Sequence, residues 1–427
     1  MLRKTFIKGI TAALFLSTLA ANAYATTYYV DSTSASANDK NAGTSQNLPL
    51  RSLAKISGHV FKPGDTIALK AGSTFTGGLQ IVSKGTASLP ITFKSYGTGA
   101  RPVIKSDPTY GSYNDAVYMA GARYVTITGL KVMSASNAGI VVDAKSSNNL
   151  FTNNEAQAVG IGFQVLGKAN KFTGNFVHDG VMVVNTKGGD DDYGANGFVI
   201  AGTDNEFAQN RCYHCKAPSY DYGFDGGMFE IFNTADNTYI HHNWSEDSVG
   251  FLEAGGSGKS SARNVRVQFN VSKNDGEFIC IHFTGGFGYT GPASFDISNN
   301  TVVDLTSSNP GALNYIDTVP AGSSVVFKNN LVVLNKIGSV FKNDITRNNN
   351  LYYFMQKTTH VMNNWANTLH AGEMIKNPLL VNLTGGDYHL TAKSPAIGAG
   401  LPVSKALVYD IAGKLINQAH PSIGAYQ

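Results

Sequence analysis

The chain has 427 residues, of which only 15% are charged, and its formal net charge is +4. It contains no Lys/Arg block of the kind that marks a nucleic-acid-binding surface, so we predict no nucleic-acid partner. Beyond residue 25 no stretch is long and apolar enough for a membrane helix, which argues against membrane insertion. The 46 glycines and the many Val, Ile, Phe and Tyr residues indicate a β-rich chain with many turns.

Residues 1–25 have the features of a secretory signal peptide. A basic start is followed by an apolar run at residues 10–19 and by the small-x-small site Ala23-Tyr24-Ala25. We therefore predict a bacterial protein that is secreted or periplasmic after removal of this segment. We also expect it to act as a monomer.

The next segment predicts a short cap and then a strand. Residues 52–56 form a short amphipathic stretch, and a solenoid needs its ends capped. Pro63-Gly64-Asp65 indicates a turn, and residues 66–69 indicate the strand that follows it.

An internal repeat dominates the middle of the chain. The pattern N-x-F-x-x-N occurs at residues 149–154, 170–175 and 205–210, and looser copies end at Asn243, Asn270, Asn300 and Asn330. Successive copies are 21 to 35 residues apart, which fits one coil of a parallel β-helix with or without an inserted loop. Unrelated Asn-Gly turns in a β-sandwich would not recur in phase with apolar residues.

The repeat has a physical explanation. Asn tolerates the left-handed backbone of a sharp turn, and stacked Asn amides can form a ladder along a solenoid. The apolar residues in phase with it would stack inside: Val125, Ile127, Phe172, Phe207, Ile240, Val267 and Ile297. We predict about eight to ten coils between residues 60 and 350. The β-helix domain would then span residues 26–350, with an irregular capping segment at 351–427 packed on it.

Both ends of the mature chain resemble known proteins. Tyr28-Tyr29-Val30-Asp31, Pro63-Gly64-Asp65-Thr66 and the tail with Ser394-Pro395-Ala396-Ile397-Gly398 and Ile423-Gly424-Ala425-Tyr426 are similar to secreted proteins of the pectate-lyase-like superfamily. The resemblance implies an all-β fold, a single-stranded right-handed parallel β-helix with long loops on one face. It also implies a polysaccharide as partner, but it does not specify a reaction.

Aligning the coils on their Asn residues predicts a polar stripe and a groove. Four places after each Asn the chain has Asp179, His214, Asp247, Asn274 and Asp304. Two long insertions, residues 180–195 and 215–227, leave from the same place and would wall a groove beside the stripe.

The strands after these insertions supply the candidate catalytic residues. If Phe229 and Leu252 both point inward, Glu230 and Glu253 face outward on neighbouring strands, about 4.8 Å apart. Paired carboxylates suit glycosidic bond cleavage. Pairing the strands on Phe251 instead would bury Glu253, which is costly. Asp225, in the preceding Gly-rich loop, and Asp247 complete the predicted catalytic set.

Other polar residues are candidate ligands for substrate or metal. We predict substrate contacts from His214, Lys216, Tyr222, His242 and His282. Asp190, Asp191 and Asp192 can hold Ca²⁺ on their loop, although a solvated acidic loop has the same sequence. For Cys212, Cys215 and Cys280, buried thiols or one disulfide are favoured over metal or redox chemistry.

Three function classes remain open. Hydrolysis by paired carboxylates, which requires no cofactor, is slightly favoured. A lyase or uronate epimerase acting on an acidic glycan is the second, because residues 196–198 and 223–226 resemble the metal-binding coils of calcium-dependent lyases. The strand at 250–256 resembles the one that carries their lysine base, but it has Leu252 and Glu253 instead, leaving Lys216 or Lys259 as substitutes. The third is a non-catalytic role in glycan binding or exopolysaccharide assembly.

Overall fold

A computed structural model describes residues 25–106, 115–306, 312–335, 339–356, 368–404 and 408–427. The predicted signal peptide lies outside the described residues apart from Ala25. No helix in the described part of the chain has the length and apolarity that a bilayer span requires.

The chain winds into a right-handed coil of short strands that stack as three parallel sheets. Each coil contributes one strand to the first, second and third sheet in turn, and the described residues form ten complete coils between Thr66 and Phe341. The predicted parallel β-helix and its number of coils are therefore confirmed, and the alternative of a β-sandwich is wrong.

The strands of each sheet follow here in the order of their hydrogen-bonded neighbours. The first sheet contains Thr27–Val30, Thr66–Lys70, Ile91–Tyr96, Val125–Thr128, Leu150–Thr152, Lys171–Thr173, Glu206–Ala208, Tyr239–His241, Ala262–Gln268, Ala293–Ser298, Ser324–Lys328 and Thr346–Asn348. The second contains Thr74–Thr76, Val103–Lys105, Lys131–Met133, Glu155–Gln157, Phe176–His178, Arg211–Tyr213, Trp244–Glu246, Val271–Lys273, Thr301–Asp304, Leu331–Leu334, Leu351–Phe354 and Met374–Ile375. The third contains Leu79–Ile81, Val117–Met119, Ala138–Val142, Ile161–Val165, Asn196–Ile200, Gly227–Phe232, Gly250–Gly255, Glu277–Ile281, Ala312–Ile316 and Ser339–Phe341.

A short 3₁₀ helix, Leu53–Lys55, lies at the N-terminal end of the solenoid. The Ser52 hydroxyl accepts a hydrogen bond from the Ala54 amide and caps the helix. Leu53 and Ile56 are buried in the main core, so this segment covers apolar side chains at the start of the solenoid, as predicted.

The predicted asparagine ladder runs through the turn between the first and second sheets. In each coil the Asn side chain accepts from the backbone and side-chain amides of the preceding ladder residue and donates to the next one. The ladder joins Asn154, Asn175, Asn210, Asn243, Asn270, Asn300, Asn330 and Asn350.

One detail of the ladder prediction is wrong. The left-handed backbone lies at the residue before the ladder asparagine, for example at Asn153 and His242, and not at the ladder asparagine itself. The ladder residue is buried and immediately precedes the next strand, and its side-chain amide makes hydrogen bonds across coils.

Aromatic rings stack along the interior of the solenoid. The rings of Phe151, Phe172 and Phe207 lie in parallel with centroids 4.7 and 4.8 Å apart, and all three side chains are buried. Offset-stacked rings at this distance stabilise a core beyond the area they bury. The predicted apolar positions of the repeat are thus confirmed as interior positions.

The C-terminal segment packs on the outer face of the second sheet. Trp244 stacks on Tyr388 with ring centroids 5.8 Å apart, and a second apolar cluster joins Val271 and Leu331 of the sheet to Ile423 and Ala425.

Cys212 and Cys215 form a disulfide, which leaves Cys280 as the free thiol.

Candidate active site

Two glutamates lie side by side on the outer face of the third sheet. Strand Gly227–Phe232 pairs with Gly250–Gly255 so that Phe229 is opposite Leu252 and Glu230 is opposite Glu253. This is the predicted register. Phe251 and Leu252 are both buried, so the strand places two consecutive residues inward before Glu253 emerges on the surface.

Hairpins and loops enclose this face on both sides. Both predicted insertions leave between the second and third sheets and form antiparallel hairpins, Met182–Val184 with Tyr193–Gly194 and Ala217–Ser219 with Gly223–Asp225. The hairpins bind each other through hydrogen bonds between residues 185–192 and 218–222. On the opposite edge, the Gly256 amide donates a hydrogen bond to the Phe287 carbonyl and so joins two further loops, residues 256–261 and 282–292. The paired glutamates therefore lie between the hairpins on one edge and the loops on the other, and we call the surface between them the groove.

Glu230 occupies the less exposed position of the pair. Its side chain is partly buried, and the Asn196 side chain donates a hydrogen bond to Oε2 at 2.6 Å. Burial raises the pKa of Glu230 to about 8, with further contributions from the negative charges of Glu253 and Asp225. This carboxyl group therefore keeps its proton at neutral pH.

Glu253 has a different environment. Its side chain is exposed, and Oε1 lies 3.0 Å from Nε2 of His282 on the next coil. The hydrogen bond to Glu253 raises the pKa of His282. His282, a predicted substrate contact, therefore lies beside the paired glutamates and directly contacts one of them.

Two further carboxyl groups approach the pair. Burial raises the pKa of Asp225 to about 6, and the charges of Glu253 and Asp192 add to this shift. Burial also raises the pKa of Glu277 to about 7, again with a contribution from Glu253. Four acids therefore share this part of the groove, and crowding favours their protonated forms.

Asp247 belongs to a separate group at the turn that leads into the third sheet. Its carboxylate lies 2.9 Å from Nδ1 of His214 and 2.5 Å from Nζ of Lys216. Although burial opposes it, the hydrogen bonds from Lys216 and His214 hold the pKa of Asp247 below its usual value. The predicted residues Asp247, His214 and Lys216 are brought together, but as an ion-paired cluster apart from the two glutamates.

His242 and Tyr222 have contacts that differ from the substrate contacts we predicted. His242 lies at the turn between the first and second sheets, stacks on Phe269 and hydrogen-bonds the Tyr409 carbonyl. Its ring therefore contacts the C-terminal segment and lies apart from the paired glutamates, and its predicted contact with substrate stays a prediction. The Tyr222 hydroxyl donates to Asp190 and fastens the two hairpins to each other.

Only two of the three aspartates that we predicted to bind metal belong to the acidic group in the structure. Asp191, Asp192 and Asp221 have carboxylate oxygens within 4.8 Å of one another, whereas Asp190 binds Tyr222. Asp221 accepts hydrogen bonds from the amides of residues 190, 191 and 192, and Asp192 accepts from Thr186, Ser219 and Asp221. These N–H and O–H donors already stabilise the negative charges of the carboxylates, so the group fits Ca²⁺ poorly.

Calcium binding can be tested directly. We expect that Ca²⁺ titrated into chelator-treated protein leaves the melting temperature unchanged, because N–H and O–H donors already stabilise Asp192 and Asp221. Differential scanning calorimetry provides the measurement. A melting temperature that rises with Ca²⁺ concentration, and no longer rises in Asp192→Asn, would show that these carboxylates bind the ion.

The sequence analysis did not assign a site role to four residues that lie in the acidic groups or beside the paired glutamates: Asn196, Asp221, Glu277 and Cys280. Glu277 and Cys280 lie one coil beyond Gly250 and Glu253, and Asn196 lies one coil before Gly227, so extending the coil alignment would have found them. Asp221 had no such signal, because its position depends on how two irregular loops pack together.

Comparisons with known proteins agree with the architecture. No protein-family profile matches the sequence. A lacto-N-biosidase of Bifidobacterium longum subsp. longum is 40% identical over 101 residues, but this covers 22% of the chain and only 6% of that relative's length. Among solved structures, the pectate lyase Pel9A covers 94% of the chain and 96% of its own, with 19% identity and a TM-score of 0.62. A rhamnogalacturonan lyase covers 84% and 91%, with 15% identity and a TM-score of 0.55. The chain therefore shares its fold, a right-handed parallel β-helix, with these two structures.

Proposed function

We propose that the protein is a secreted or periplasmic, monomeric enzyme that hydrolyses glycosidic bonds of a polysaccharide. The observation that carries this proposal is the pairing of Glu230 with Glu253 on the floor of a walled groove, in two different environments. Glycoside hydrolysis needs two carboxyl groups with separate roles, and environment assigns those roles.

Glu230 has the properties of the general acid. Its pKa of about 8 means that it holds a proton at neutral pH, and the hydrogen bond from Asn196 to Oε2 fixes the orientation of the group. A positioned acid with a pKa near the working pH protonates the leaving oxygen efficiently.

Glu253 has the properties of the nucleophile. It is exposed to the groove, and His282 orients it through a hydrogen bond at 3.0 Å. Adjacent strands are about 4.8 Å apart, close to the separation of about 5 Å between carboxyl groups that is found in retaining glycosidases. We therefore propose retention of the anomeric configuration.

The groove favours a neutral glycan. The ten described strands of the third sheet contain no lysine and no arginine, whereas Glu230, Glu253 and Glu277 face outward. A polyanionic uronate chain would meet repulsion there. Exposed rings on the loops, Tyr220, Phe224 and Phe287, offer surfaces on which neutral sugar rings stack. The name of the curated relative, a lacto-N-biosidase, is consistent with this class of substrate.

Lyase or epimerase chemistry has less support. Lys216 is ion-paired with Asp247, and Lys259 is exposed in a turn after the strand that carries Glu253. Neither side chain lies in a strand of the third sheet beside the paired glutamates. A purely glycan-binding role leaves unexplained why two glutamates with such different environments face each other on neighbouring strands.

The test is a digest of mixed polysaccharides with two readouts. We expect new reducing ends without the ultraviolet absorbance of an unsaturated uronate, because water rather than elimination completes the reaction. Proton NMR of the first product should show the anomer of the substrate. Ultraviolet absorbance that grows together with reducing ends would show elimination, and an inverted first product would contradict the assignment of Glu253 as nucleophile.

A further inference from the structure

A second arrangement of ligand atoms lies on the same groove floor. Nε2 of His282 lies 3.0 Å from Oε1 of Glu253 and 3.3 Å from Sγ of Cys280. All three atoms are within 4.8 Å of one another. Glu253 comes from one strand of the third sheet, and Cys280 and His282 belong to the next coil, where they are two residues apart and face the same side.

We infer that Glu253, Cys280 and His282 form a binding site for a soft divalent metal ion, with zinc as the best fit. Carboxylate, thiolate and imidazole are the three ligand types that zinc accepts in proteins. In tetrahedral zinc sites, the usual bond lengths place ligand nitrogen, oxygen and sulfur atoms about 3.3 to 3.6 Å apart. The observed distances of 3.0 and 3.3 Å differ from this by about 0.3 Å.

Hydrogen bonding alone accounts poorly for this geometry. One ring nitrogen of His282 faces both the Cys280 sulfur and the Glu253 carboxylate, so its single N–H serves both only as a shared three-centre hydrogen bond, which is weaker toward each acceptor. A cation at the centre of the three atoms would satisfy all of them together. The charges of Glu277 and Asp317 also act on this group, and Lys342, which lies just beyond the last strand of the sheet, is ion-paired with Asp317 at 2.8 Å.

The exposure of the three residues suits an open metal site. Glu253 is exposed to the groove, His282 is partly buried, and Cys280 is buried beneath them. Three protein ligands at the bottom of a groove leave a fourth position for water or another small ligand. The inference of binding stands on these residues, but its consequence rests on the proposed function: zinc would occupy the carboxylate that we assign as nucleophile, so it should inhibit hydrolysis.

Cobalt provides a direct spectroscopic test. The sequence has three cysteines and two form the disulfide, so a sulfur-to-cobalt charge-transfer band in the near ultraviolet can come only from Cys280. We expect this band when Co²⁺ is added to the full chain, its disappearance when Zn²⁺ is added, and its loss in Cys280→Ser. His282→Gln should weaken Co²⁺ binding at least about tenfold. Glu246→Gln, an acidic position on the second sheet, should leave the band unchanged, and circular dichroism checks folding of each variant.

The outcomes separate this inference from the proposed function. A wild-type protein without the band, or a band that persists in Cys280→Ser, would overturn the metal site whatever the activity. A band without any hydrolysis would support the metal site and count against the hydrolase. Activation by zinc would also support the site but would contradict the role of Glu253 as a free nucleophile.

Discussion

Replacement of Glu230 or Glu253 by glutamine is expected to lower turnover at least about a hundredfold in each case, the low end for a positioned acid or base. Glutamine keeps the shape of each side chain but cannot donate the proton that Glu230 holds or attack as Glu253 would. Glu230→Gln also keeps an oxygen that can accept the hydrogen bond from Asn196. Turnover is measured as release of reducing ends from the best substrate of the digest.

A matched control separates the groove from acidic residues in general. Glu246 faces outward on the second sheet and pairs with Lys273 at 2.7 Å, away from the groove. Glu246→Gln should therefore keep turnover within about twofold of wild type, since surface ion pairs contribute little. If both groove variants retain full activity, the assignment fails and Asp225 and Asp247 become the next residues to replace.

The pH dependence of the free energy of unfolding tests whether Glu230 holds a proton in the folded chain. Its pKa is about 8 in the folded chain, compared with an ordinary value of 4.5. Between these values the unfolded chain releases a proton that the folded chain keeps, so the contribution of Glu230 to stability falls as pH rises through this range. Glu230→Gln removes this pH-dependent loss of stability because glutamine does not titrate. The variant should therefore unfold at a higher denaturant concentration than wild type near pH 8, with little difference near pH 4.

The sequence predicted the paired glutamates because a solenoid converts spacing into position. Once the asparagine repeat is recognised, Glu230 and Glu253 occupy equivalent places in consecutive coils, and His282 follows one coil later. The inward direction of Leu252 could be argued from the cost of burying Glu253, and the structure has that register.

Other parts of the site depend on interactions that the repeat does not specify. Phe278 and Ile279 both point inward, which breaks simple alternation, so Cys280 faces outward although its sequence context is apolar. Asp221 joins the acidic group only because two hairpins pack on each other. The repeat could not predict that His242 contacts the C-terminal segment, because that segment is distant in sequence.

The asparagine ladder is expected to contribute strongly to the stability of the solenoid. Asn243 is fully buried and makes four hydrogen bonds: its Oδ1 accepts from the backbone and side-chain amides of Asn210, and its Nδ2 donates to the Phe207 carbonyl and to Asn270. Each buried group that loses its partner costs about 1–3 kcal/mol. Asn243→Ala takes this partner away from the Asn210 backbone amide and the Phe207 carbonyl, whereas Asn270 Oδ1 still accepts from the Asn243 backbone amide and Asn210 Nδ2 still donates to the Phe172 carbonyl. We therefore expect the free energy of unfolding to fall by about 3 kcal/mol.

Urea denaturation followed by circular dichroism tests this prediction, with Asn47→Ala as the matched control. Asn47 is exposed in a loop near the N-terminal end, so the same change of side chain there should alter the free energy of unfolding by less than about 0.5 kcal/mol. A coil in a solenoid contacts only its neighbours, and a gap in the ladder at Asn243 weakens the interfaces on both sides of one coil. The strands that carry Glu230 and Glu253 belong to the two coils that Asn210 and Asn243 join. If Asn243→Ala were as stable as Asn47→Ala, the stacked amides would be a consequence of the coil geometry, and apolar packing alone would hold the groove floor in register.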